Sequence, residues 1–94
     1  MIDCNKVHFQ LGGGRVRVWG DPGAVSPNAQ VKLVFSPLWA PEPIYVTARK
    51  DGSFDFSSEV GLIIPRHCKV YEDELPEECR VGAPYSAEED GDRE

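Results

Sequence analysis

Hydrophobic and polar residues alternate with a period of two through most of residues 7–71. Val7, Phe9 and Leu11 alternate with His8 and Gln10, as in a strand that buries one face. Three glycines at 12–14 end that segment, because glycine accepts positive φ. They either close a hairpin or form a looser corner between sheets. Val16 and Val18 then oppose Arg15, Arg17 and Trp19, and Val31, Leu33 and Phe35 alternate with Lys32 and Val34. Further on, Ile44, Val46 and Ala48 oppose Tyr45, Thr47 and Arg49, and Phe54 and Phe56 flank Asp55. "VGLIIP" at 60–65 is a short apolar run stopped by proline, and "HCKVY" at 67–71 sets Cys68 and Val70 on one face. About seven short strands, with no apolar spacing of helical period, predict an all-β chain.

The segments between the strands carry turn chemistry. Pro22-Gly23 suits the centre of a type II turn, and Ser26-Pro27-Asn28-Ala29 forms a second turn. Lys50-Asp51-Gly52-Ser53 signals a hairpin. "SPLWAPEP" at 36–43 holds three prolines, which cannot donate to a ladder, so it reads as a loop or an interrupted edge. Beyond Tyr71 the alternation fails. The expected organisation is an N-terminal extension at 1–4, a β-sandwich at 5–71 and an acidic, mostly disordered tail at 72–94. Leu75, Val81 and Tyr85 are the tail positions with something to dock back onto the body.

A chain of 94 residues makes one domain. The net charge of −6 divides unevenly: residues 1–70 carry eight Lys/Arg against six Asp/Glu, and residues 71–94 carry two against ten. Scattered cations beside an acidic tail argue against nucleic acid as a partner. No run approaches the ~20 apolar residues that span a bilayer, so membrane insertion is not expected. The first residues lack a basic stretch followed by an apolar run, which leaves a cytoplasmic protein or a domain excised from a surface protein. Cys4, Cys68 and Cys79 show no paired zinc spacing. Free or structural thiols are expected, with a Cys68–Cys79 bridge over about ten residues as the disulfide alternative.

The stretch "VRVWGDPGAVSPNAQVKLVF", then "ARKDGSFDF" and "VGLII", resembles bacterial immunoglobulin-like and carboxypeptidase-regulatory-like (transthyretin-type) β-sandwich domains over residues 15–70. Asn28 stands where that pattern usually has glycine. The resemblance implies an antiparallel sandwich of about seven strands in which the Pro-Gly and Asp-Gly turns are architectural. It implies a binding or spacer module and says nothing of chemistry.

No nucleophile elbow, phosphate loop or zinc motif is present, and no enzyme activity, metal or cofactor is expected. His67 and Cys68 point to opposite strand faces, and a Cys68–His8 pair requires adjoining strands. Asp51 and Asp55 are explained by a turn without calcium. The candidate contact residues are Trp39 and Leu38 in the proline-rich loop, Trp19 on the outward face of its strand, and Tyr45 on segment 44–49. That segment, or the C-terminal "HCKVY" at 67–71, is also a candidate edge for pairing with another chain, including a second copy. The expected function is a non-catalytic protein–protein interaction module acting as an accessory or assembly component. The second expectation is a structural spacer or adhesion-type domain of a cell-surface or secreted protein.

Overall fold

A computed structural model describes residues 2–36, 43–62 and 64–82. The described chain is all-β, with strands β1 (Val7–Gly12), β2 (Arg15–Gly20), β3 (Gln30–Ser36), β4 (Ile44–Thr47), β5 (Phe54–Glu59), β6 (His67–Glu72) and β7 (Glu78–Gly82). A short 3-10 turn at Cys4–Lys6 precedes β1, capped by the Asp3 side chain accepting from Asn5 N–H. The strands form two antiparallel sheets, ordered β1-β2-β5 and β4-β3-β6-β7.

The alternation dictates which faces meet. Val7, Phe9, Val16, Val18 and Phe54 from the smaller sheet and Val31, Leu33, Phe35, Cys68, Val70 and Cys79 from the larger are buried in one cluster. Removing this apolar surface from water, at roughly 25 cal/mol per Å², is the main force holding the sheets together. The closure is uneven. Edges β1 and β7 contact one another, and a Cys4–Cys79 disulfide joins the turn before β1 to β7. On the opposite side, Ile44, Val46 and Phe56 are only half-buried. The bridge therefore pairs Cys4 with Cys79, and Cys68 is the free, buried cysteine; the Cys68–Cys79 alternative does not occur.

The three glycines resolve as a hairpin. Gly12 pairs with Arg15, and Gly13 and Gly14 both take positive φ, at 61° and 75°. That is the two-residue turn whose twist matches the flanking strands. The run from Asp21 to Ala29 is a corner between sheets. Ala24 N–H donates to Asp21 carbonyl at 2.9 Å around Pro22-Gly23, and Ala29 N–H donates to Ser26 carbonyl at 3.1 Å around Pro27-Asn28. Asn28 has φ 63°, which explains why a residue tolerant of the left-handed region stands there. Ala24, Val25 and Ala29 plug this end of the core.

The structure departs from the sequence reading in three places. The Asp51-Gly52 turn forms, with Gly52 N–H on Arg49 carbonyl at 3.0 Å, but it is no hairpin: β4 pairs with β3 and β5 with β2, so the turn carries the chain between sheets. The described part of "VGLIIP" is a loop, with Leu62 fully exposed. Order also continues past Tyr71: β6 runs to Glu72, and β7 adds a strand in the segment expected to be a tail. Cys79 faces the core there, while Glu78 and Arg80 face outward. Because β7 covers it, "HCKVY" lies inside the sheet and is no edge, whereas β4 is one.

Candidate functional site

Each sheet presents an outer face. On the smaller sheet that face holds His8, Arg15, Arg17, Trp19, Asp55, Ser57 and Glu59. Its groups satisfy one another. Arg17 makes two hydrogen bonds to Asp55, at 2.7 and 3.1 Å, and its guanidinium lies 4.4 Å from the Trp19 ring centre. His8 packs against Trp19 at 5.2 Å and shares a 2.8 Å hydrogen bond with Asp21. Arg15 donates to Ser57 at 3.1 Å. Trp19 does point outward, but it is half-covered by its neighbours.

The larger sheet differs. Its register aligns Tyr45, Lys32, Tyr71 and Glu78 in one row, Val34, Lys69 and Arg80 in the next, and Ser36, His67 and Gly82 in a third. Lys32 Nζ sits 4.6 Å from the Tyr71 ring centre, a cation–π contact, and the Tyr71 hydroxyl donates to Glu78 Oε1 at 2.9 Å. That bond holds the neutral phenol and pushes the Tyr71 hydroxyl above its ordinary range. The β6–β7 connection, with Asp73, Glu74, Leu75 and Pro76, stands beside the first row and encloses a groove of about 570 Å³ with Gln30, Lys32, Tyr45 and Tyr71. Asp73 fixes this wall by accepting from Gln30 N–H at 2.8 Å.

Two large hydrophobic residues flank that groove without cover: Tyr45 is 56% exposed and Leu75 43%. Of the residues the sequence nominated, then, Tyr45 lies in the groove and Trp19 lies on the opposite sheet. Leu38 and Trp39 fall outside the described residues. Lys32, Tyr71 and Pro76 were not nominated, and Leu75 was named only as a tail position with something to dock back onto the body. The outward face of "HCKVY" carried the signal for Tyr71, whereas Pro76 was hidden in an acidic segment.

Catalytic pairings do not assemble from the residues the sequence offered. His8 faces outward on the smaller sheet, while Cys68 faces the core of the larger, where burial pushes its thiol up to about 12. The two aspartates are engaged internally: Asp51 Oδ1 accepts from Ser53 N–H and Oγ–H at 2.9 and 2.6 Å, and Asp55 holds Arg17. Among the described residues no group of three or more His, Cys, Asp or Glu is placed to hold a metal ion. No helix among them is long and apolar enough to cross a membrane.

Three carboxylates make the fold sensitive to acid. Ser53 holds Asp51 below the ordinary carboxyl range, and Arg17 does the same for Asp55. Burial alone pushes Glu72 up, but hydrogen bonding, including that from Ser26 N–H at 3.3 Å, turns its net displacement downward. A group depressed in the folded state contributes stability above its unfolded pKa, about 4, and loses that contribution as pH falls through the folded value. The thermal midpoint should therefore drop as pH falls below about 4. An Asp51→Asn/Asp55→Asn/Glu72→Gln variant, starting lower, should fall less steeply over that range. Parallel curves would remove these groups as the cause.

No family model matches the chain, and no curated protein or solved structure does either.

Proposed function

We propose that this chain is a non-catalytic protein-interaction module on an immunoglobulin-like sandwich, and that the groove beside Tyr45 is its contact surface. The observation that carries this is the meeting of exposed Tyr45 and Leu75 at one polar-walled groove. Aromatic and apolar anchors inside a polar rim are the usual composition of an interface centre. The opposite face is less suited, since its charges are already spent on each other. The strand orders support the sandwich, because the chain passes between sheets from β2 to β3, from β4 to β5 and from β5 to β6, as Greek-key sandwiches do.

A photo-crosslinking residue placed at Tyr45 should trap one dominant protein, or a second copy of the chain, in the native source. The same residue at Ser57, on the other sheet, should not. Identical adducts from both sites would defeat the proposal.

A second reading, a spacer or adhesion-type domain of a surface or secreted protein, gains support from the Cys4–Cys79 bridge. Such bridges persist mainly in oxidising compartments. The two readings are compatible in one protein, since a secreted spacer can carry a contact face.

A further inference from the structure

The second row of the larger sheet's outer face contains a conflict. Lys69 and Arg80 are direct partners in the β6–β7 register, two like charges opposed across neighbouring strands. Side chains so placed lie about 5 Å apart at Cβ, and like charges in that position destabilise a sheet. Neither side chain makes a hydrogen bond or ion pair within the described residues. Lys32 lies on the row beside them, held on the Tyr71 ring. The face's own carboxylate, Glu78, is engaged by the Tyr71 hydroxyl. Three cations therefore share one face of a chain whose net charge is −6.

A groove of about 370 Å³ runs over this row, lined by Val34, Ser36, His67, Lys69 and Arg80 among others. Gly82 leaves room for the His67 ring beside it, since a Cβ there would come within 2.5 Å of His67 Nδ1. The site thus offers a guanidinium, an ammonium, a hydroxyl and an imidazole around a recess, and the apolar Val34.

We infer that this recess binds an acidic, extended peptide segment of the protein partner, its carboxylates clamped by Arg80 and Lys69. The inference rests on the interaction-module reading and names the chemistry of the partner. Arginine takes a carboxylate through two parallel hydrogen bonds, and lysine supplies a second, adjustable charge. In an extended segment, alternate side chains project to one side about 7 Å apart, so successive acidic residues at that spacing face the cations together. Apolar residues further along on that same side reach Tyr45 and Leu75 in the adjoining groove, which a bare anion does not use.

The test uses the full chain and a fluorescein-labelled peptide that carries two glutamates and then two valines at successive same-side positions, with serines between, and a heparin fragment and inorganic sulfate as competing probes. The peptide should bind, weaken at least tenfold between about 50 and 200 mM salt, and be displaced poorly by sulfate. Arg80→Glu should reduce peptide binding at least tenfold while raising the thermal midpoint, because it turns a like-charge pair into an opposed one. That combination separates a binding role from a structural one. A Lys69→Gln/Arg80→Gln variant, checked for native circular dichroism, guards against misfolding of the first. Peptide binding unchanged in both variants, no peptide binding, or preference for heparin over the peptide would each overturn the inference. The Tyr45 crosslinking result stands apart: a trapped partner without peptide binding sinks this inference alone.

Discussion

Replacing Cys4 and Cys79 together by alanine should lower the stability of the fold by about 4.5 kcal/mol. The two residues are 75 apart in sequence, so the bridge removes a large share of the freedom of the unfolded chain. Marginal domains hold only about 5–15 kcal/mol in total, and a chain this short buries roughly 60% of its surface. Urea unfolding of wild type and variant provides the measurement. Overlapping transitions would show that the bridge contributes nothing. Thiol titration of protein isolated under alkylating conditions supplies the independent check. One thiol, Cys68, should appear on denaturation; three would mean that the bridge does not form. Cys68 should stay unreactive in the native state, because it is buried and its thiol is pushed up to about 12.

Phe54→Ala should cost about 3–5 kcal/mol. Phe54 is 1% exposed and pairs with Gly20 across β2 and β5. Its ring lies where a Gly20 side chain would be, and Ala24 closes the same space from the corner. One aromatic ring therefore packs the end of the smaller sheet against the turn-rich corner. Gly20→Ala should itself destabilise by about 1–3 kcal/mol through overpacking, and it should cost much less in a Phe54→Ala background. A double-mutant cycle that returns simple additivity would contradict this packing.

The two predictions bear on how far the fold was legible. Six of the seven strands follow from alternation alone, because a half-buried strand leaves a period-two trace. β7 left only Cys79 and Val81 amid acidic neighbours, and its order comes from pairing with β6 and from the bridge, both long-range. "VGLIIP" misled in the opposite direction. Its apolar content matched a buried strand, yet Leu62 is fully solvated and Ile64 is exposed. At Asp51-Gly52 the local turn was readable, but the sheet to which each flanking strand belongs is a tertiary fact. The proposed contact face was half visible: Tyr45 stood out from its strand, whereas its alignment with Lys32 and Tyr71 required the register. The Lys69–Arg80 opposition could not be seen at all without β7.

The Cys4–Cys79 staple also governs how the chain would respond to a pulling force. Tension applied through the backbone at these two points crosses directly from one sulfur to the other, bypassing both sheets. The intervening strands stay slack, and almost no length is paid out. Once reduced, the same chain can yield on the order of 250 Å. The redox state of this one bridge thus sets how far the chain between these two points can be drawn out.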